Sequence, residues 1–207
     1  MPRELQLTTT SYAILGLLAV RPWSTYALAG QMRRSLREVW PRAESNVYAE
    51  PKRLVAAGLA TAATETVGKR PRTVYTITPA GERRLAEWLS APESARSRFE
   101  SELLVKVLFG NHGDKDALLA NLHRFRAETD ELRAYWKGLI DEYVGGPKPF
   151  PERVHVNALV MRFGWSQVEA RARWVAWAIE HVESWEGASE PTTREATLDA
   201  LRGIADS

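Results

Sequence analysis

The segment from Ser45 to Leu89 limits the fold more than any other, because its apolar period changes twice within one short stretch. Advancing about 100° per residue from Val47 gathers Val47, Leu54 and Val55 on one side of a helix. Ser45, Ala49 and Lys52 fall opposite, with Tyr48 at their edge, so one face is apolar and the other small, polar and basic. Gly58 has the permissive backbone that ends a helix. Leu59 to Thr66, rich in Thr and Ala, reads as a strand, and Val67 to Pro71 reads as a turn. Arg72 to Ile77 then alternates with period two and is β-branched and aromatic, the second strand of a hairpin. Thr78 caps a further helix, Pro79 takes the first helical position, where its missing N–H costs nothing, and Glu82 is expected to complete a capping box.

The rest of the first ninety residues organises around this unit. Thr8, Thr9 or Thr10 caps a first helix in which Ala13, Ile14, Leu17 and Leu18 recur at helical spacing, and Arg21-Pro22-Trp23 ends it. Ser24 caps a second helix through about Leu36 that carries Tyr26 and Gln31, and Val39-Trp40-Pro41 closes it. Three helices and a two-stranded wing followed by a helix make a winged helix-turn-helix. In that arrangement the second helix crosses a DNA backbone and the third enters the major groove. Ser45, Asn46, Tyr48 and Lys52 are therefore assigned to the groove. Arg53 lies toward the flank, where it meets either a phosphate or an acidic partner. Tyr26 either donates its hydroxyl to a phosphate or packs with an exposed tip. Lys69, Arg70 and Arg72 sit at the wing tip, placed for the backbone or for a minor groove whose negative potential attracts cations.

Charge is divided along the chain. Residues 1–90 carry 13 Lys and Arg against 7 Asp and Glu, a net +6, whereas residues 91–207 carry 15 against 19, a net −4. The basic excess belongs to the half read as DNA-binding.

Residues 91–98 are small and polar, without apolar periodicity, and mark the boundary. Beyond them Phe99, Leu103, Leu104, Val107 and Leu108 form an apolar stripe. Asp114 then caps a helix in which Leu118, Leu122, Phe125, Thr129, Leu132, Trp136, Leu139 and Tyr143 alternate steps of four and three, the seam of helices packed at a shallow angle. Gly145 to Pro151 lets the chain reverse. A second long helix from about Arg153 to Trp185 is expected to answer the seam with Leu159, Phe163, Ala170, Trp174, Trp177 and Trp185. Thr192 and Glu195 form a capping-box signature before a terminal helix with Leu198, Leu201 and Ile204. This is more apolar stripe than a lone hairpin buries, and dimerisation would cover it.

The chain resembles the PadR family of transcriptional regulators. The match is carried by Tyr12-Ala13-Ile14-Leu15-Gly16-Leu17-Leu18, by Val47-Tyr48 with Lys52-Arg53-Leu54 and Gly58-Leu59, and by Val74 to Gly81 running into Trp88-Leu89. The family's usual Gly-Tyr at the start of the second helix is Thr25-Tyr26 here. Its recognition helix usually has Pro after the Tyr and Leu two positions later, where this chain has Ala49 and Pro51, so the helix either starts late or bends at Pro51. The resemblance implies a repressor that binds double-stranded DNA at an inverted repeat as a homodimer, with recognition helices about 34 Å apart. It also implies C-terminal dimerisation helices and release by an aromatic small-molecule effector. Trp136, Trp174 and Trp177 are the candidates to stack on such a ring, against the plainer reading that they pack in a core or interface. The expected fold class is thus mostly α, with a winged helix-turn-helix DNA-binding domain over residues 1–90 and an α-helical dimerisation and effector-binding domain over residues 91–207.

Other classes fare worse. The chain has no cysteine, which rules out disulfides, thiol nucleophiles and cysteine-ligated zinc. His112, His123, His155 and His181 lack metal-ligand spacing, and no phosphate loop or nucleophile elbow occurs, so neither an enzyme nor a cofactor is expected. No apolar run resembles a signal peptide or a membrane span, which makes the cytoplasm the expected location. A winged helix serving only as a protein-interaction module is the remaining alternative, and three cations at the wing tip argue against it.

Overall fold

A computed structural model describes residues 6–41, 47–67, 70–92, 94, 99–148, 150–187, 197–199 and 201–202. The chain divides into two compact units, Met1–Arg96 and Ser97–Ser207.

In the first unit, helix α1 (Thr9–Val20) starts from Thr8, whose Oγ1 accepts the Ser11 N–H while Ser11 Oγ accepts the Thr8 N–H. Thr8 caps in preference to Thr9 and Thr10 because only it has a short serine hydroxyl three residues on, at Ser11, to complete the reciprocal pair. After α1 comes a short strand that the sequence did not announce, β1 (Trp23–Ser24). Ser24 doubles as the N-cap of α2 (Thr25–Leu36), accepting the Ala27 N–H at 3.3 Å. Two indoles lock this corner. Trp23 Nε1 donates to the Leu17 carbonyl at 2.7 Å, and Trp40 Nε1 donates to Thr10 Oγ1 at 3.0 Å.

Helix α3 is shorter than the sequence pattern suggests, running Glu50–Ala56, and Pro51 lies in its first turn. Pro51 therefore starts the helix rather than bending it, since the N–H groups of a first turn have no intrahelical acceptor to lose. Its end is a Schellman motif: Gly58 has φ 71°, the Leu59 N–H reaches the Leu54 carbonyl at 2.9 Å, and the Gly58 N–H reaches that of Val55 at 2.9 Å.

Strands β2 (Ala60–Val67) and β3 (Arg70–Ile77) form the hairpin, and the sheet order is β1-β3-β2, all antiparallel. Pairing continues to Val67 opposite Arg70, so the expected turn from Val67 to Pro71 is shorter; Arg70 forms the last rung beside it, and Arg72 lies two rungs further into β3. Pro71 is tolerated in the central strand because β1 reaches only Val74 and Tyr75, leaving Pro71 without a ladder partner on that side. Helix α4 (Pro79–Ser90) is capped by Thr78, whose Oγ1 accepts from the Gly81 N–H at 3.1 Å. Gly81 thus holds the third position and Glu82 lies one residue too far, so the expected capping box does not form. The core of this unit joins Ile14, Leu15 and Leu18 to Leu28, Met32, Leu54, Val74 and Tyr75, and Tyr12 stacks on Trp88 with ring centroids 4.6 Å apart.

The second unit is a helical hairpin. Helix α5 (Glu102–Leu108), capped by Ser101, and a 3₁₀ turn at Gly110–His112 precede α6 (Lys115–Gly145), which Asp114 caps. A second 3₁₀ turn leads into α7 (Val154–Glu183), and residues 197–199 and 201–202 are helical; Thr192, Glu195 and Ile204 lie outside the described residues. All eight seam positions of α6 are buried or partly so. Leu118 and Leu122 pack with Val175, Ala178, Ile179 and Val182, with Trp174 and Trp185 against that cluster. Arg133 bridges to Glu169 at 2.7 Å, and Lys115 Nζ donates to the carbonyls of Glu183 and Trp185 where α7 ends.

The phase expected for α7 is wrong for four residues. Leu159, Phe163, Ala170 and Trp177 are exposed, and the side facing α6 is instead Gly164, Val168, Val175, Ala178, Ile179 and Val182. Small and β-branched side chains face α6, while the bulky Leu159, Phe163 and Trp177 are left outside. Among the described residues no helix is long and apolar enough to cross a membrane.

Candidate nucleic-acid interface

Two interleaved stripes define the surface around α3. Val47, Glu50, Pro51 and Leu54 are buried, while Tyr48, Ala49, Lys52, Arg53 and Ala56 are exposed. The spacing of three and four residues is that of a helix with one face in the core and one in solvent. Tyr48 and Lys52 therefore stand outward as expected. Ser45 and Asn46 lie outside the described residues. Tyr26, at the second position of α2, is 80% exposed, which removes the alternative that its ring packs down.

Arg53 has an acidic partner. Its Nη1 donates to Glu50 Oε2 at 2.7 Å, and Glu50 Oε1 accepts from Ser11 Oγ in α1. Composition gave no reason to put a glutamate in the core, but the helical wheel did: at about 100° per residue Glu50 and Pro51 fall beside Leu54 on the apolar face.

The wing presents fewer free cations than its sequence suggests. Arg72 pairs with Glu65 directly opposite on β2, through Nε at 3.3 Å and Nη2 at 2.8 Å to the same oxygen. Arg70 stands in β3 opposite Val67, and Lys69 lies outside the described residues.

The three candidate effector tryptophans occupy different surroundings. Trp136 is buried against Gly164, and Trp174 meets Phe125 edge-on with centroids 5.8 Å apart. Ten residues of α7 separate Gly164 from Trp174, a rise of about 15 Å, so these two do not line one site. Trp177 is half-exposed and stacks on His181 at 5.0 Å, with Trp185 edge-on to the same imidazole at 5.9 Å.

Comparison with known proteins agrees with this architecture. Residues 14–87 match the transcriptional regulator PadR-like family, and residues 100–183 match the family described as virulence activator alpha C-term. The negative transcriptional regulator PadR of Bacillus subtilis (strain 168) is 27% identical over 134 residues, covering 62% of this chain and 74% of that protein. The crystal structure of Bacillus subtilis PadR in complex with operator DNA superposes with a TM-score of 0.74 at 21% identity, covering 84% of this chain and 99% of that one. The same regulator in complex with p-coumaric acid gives 0.70 at 20% identity over 85% of this chain and 99% of that one. Residues 14–87 thus form a domain of the transcriptional regulator PadR-like family, and the chain shares the fold of the solved PadR regulators.

Proposed function

We propose that this regulator is a cytoplasmic, homodimeric repressor that binds an inverted-repeat operator and is released by an aromatic small molecule. The observation that carries the DNA-binding part is the two-striped α3. Helix α3, whose inner residues are buried, presents Lys52 and Arg53 outward, with Tyr48 exposed in the turn just before it, in a unit whose charge is net positive. Tyr26, Lys69, Arg70 and Arg72 are assigned to the flanking backbone or minor groove, where contacts supply affinity and salt dependence, and Ser45, Asn46, Tyr48 and Lys52 to the major groove, where they supply sequence choice. Residues 1–90 carry this activity, and residues 91–207 carry dimerisation and effector binding.

Dimerisation is supported by the apolar side chains left exposed in the second unit, above all Leu159, Phe163 and Trp177 on α7 and Leu108 and Phe109 at the end of α5. The effector reading is supported by the half-exposed Trp177 ring and by the complex of the Bacillus regulator with p-coumaric acid. An effector would act by binding more tightly to a dimer state whose recognition helices miss the operator spacing.

The test is an anisotropy titration of the full chain against the DNA upstream of its own coding region, at several salt concentrations, with random DNA as competitor and p-coumaric acid as the first effector probe. Competitor-resistant binding with a steep salt slope is expected, reversed by the effector. Binding that is weak and blind to sequence would overturn the repressor reading and favour a protein-interaction module.

A further inference from the structure

We propose that Glu50 is a positioning residue for Arg53: it holds the guanidinium so that its remaining donors form a preset fork for the edge of one base in the major groove. The inference rests on the DNA-binding reading given above. The Glu50 side chain is only 3% exposed, and that of Arg53 is 46% exposed. Removing a carboxylate from water costs several kcal/mol unless its oxygens are satisfied, and an apolar residue of similar volume often fills such a position with no loss of stability. Both oxygens are satisfied here. Ser11, itself fully buried, accepts the Thr8 N–H at 2.9 Å and gives its one hydroxyl proton to Oε1. Arg53 Nη1 takes Oε2 at 2.7 Å.

The arrangement chains α1 to α3 and then to an outward cation. Ser11 is fixed by the cap of α1, Glu50 by Ser11, and Arg53 by Glu50. A guanidinium is planar, so anchoring one nitrogen orients the rest. Among the described residues no other partner engages Arg53. Its rotamer freedom is therefore lost on folding rather than on binding, which favours affinity for a target of matching geometry. A phosphate attracts a cation from many directions and gains little from such a buttress. A guanine edge, with O6 and N7 as paired acceptors, needs the fork aligned. A buried carboxylate held for orientation thus points to the base rather than to the backbone.

The test uses the full chain and a duplex selected by the wild-type protein from a randomised library. Affinity is measured for that duplex, for single G·C to A·T changes within it, and for a random duplex, with thermal unfolding in parallel. Arg53→Lys keeps the charge and lies at the surface; Glu50→Gln keeps the shape and the Ser11 contact but weakens the hold on Arg53. Each is expected to weaken binding to the selected duplex about 5- to 100-fold, with the random duplex nearly unchanged, and one G·C change that hurts the wild type should become neutral in both variants. The double variant should lose no more than either single one. Equal losses on selected and random duplexes would mark a phosphate contact or a purely structural role and overturn the proposal, as would full specificity in Arg53→Lys. A wild-type protein that selects no sequence would overturn the DNA-binding reading itself, a result visible before any variant is made.

Discussion

The indole of Trp136 on α6 occupies the space that a side chain at residue 164 of α7 would need: a Cβ on Gly164 would stand 2.2 Å from Trp136 Cζ2. The ring is buried and too large to move aside within a packed seam. Gly164→Ala should therefore destabilise the α6–α7 hairpin by about 1–3 kcal/mol, the usual range for overpacking. Gly138, on the exposed side of α6, where an added Cβ would meet nothing within 4 Å, is the control. Gly138→Ala should stabilise by about 0.5–1 kcal/mol through helix propensity alone. Urea denaturation of both variants, with hydrogen exchange to place the loss on α6 and α7, checks the pair. A neutral Gly164→Ala would refute the close approach.

Two glycines at the base of the wing are required for unlike reasons. Gly58 has φ 71° with open space around it, so Gly58→Ala should cost about 1 kcal/mol from backbone strain. Gly81 meets backbone: its Cβ would lie 2.1 Å from the Leu59 carbonyl oxygen, which accepts the Thr78 N–H at 3.1 Å. Gly81→Ala should cost about 2–3 kcal/mol by forcing the α4 cap away from the hairpin. Chemical denaturation should rank Gly81→Ala as the more damaging. The reverse order would mean that the Thr78 junction yields easily.

The ease of reading this chain tracks how sharply each segment separates apolar from polar positions. In α6 the seam residues stand among charges such as Arg124, Glu128, Glu131 and Lys137, so periodicity alone picks the buried face. In α7 both faces are apolar. The eye goes to Leu159, Phe163 and Trp177, while packing against Trp136 selects Gly164 and the smaller residues in phase with it. The same conflict explains α3. Charge argues that Glu50 is solvated, yet its phase is inward, and the phase prevails because Ser11 and Arg53 satisfy the carboxylate. A hydroxyl thirty-nine residues away in the chain leaves no local signal. Register was equally hidden at the wing, where Gly and Pro suggested a longer turn but β2 and β3 pair through Arg70.

Glu65 restrains the charge of the wing. Its carboxylate holds the Arg72 guanidinium across the ladder, with both side chains half-exposed. An exposed pair of this kind adds little to stability, so its removal leaves the fold intact. Glu65→Ala should free Arg72 for a phosphate and tighten binding to random duplex DNA. The slope of log K against log salt should steepen by about 0.9 if one further phosphate is engaged. Arg72→Ala should flatten that slope, by less than about 0.9 because Glu65 shares the guanidinium in the wild type. Titrations of both variants over a range of salt decide the matter, and an unchanged slope in Glu65→Ala would remove Arg72 from the DNA contact set.

Phe163 tests the link between assembly and DNA reading. Its ring is 61% exposed on the outer side of α7, with Leu159 one turn earlier exposed to a similar degree, although Gly164 beside it is buried against α6. A charge there meets no partner within the hairpin, so Phe163→Glu leaves the α6–α7 seam untouched. In a dimer that covers this face, it buries an unpaired carboxylate, which typically costs several kcal/mol. Sedimentation equilibrium should then show a monomer where the wild type is a dimer, with the same helix content by circular dichroism. Operator affinity should fall far more than affinity for random DNA, because only the dimer engages two half-sites at once. A Phe163→Glu protein that remains dimeric would exclude this face of α7 from the interface.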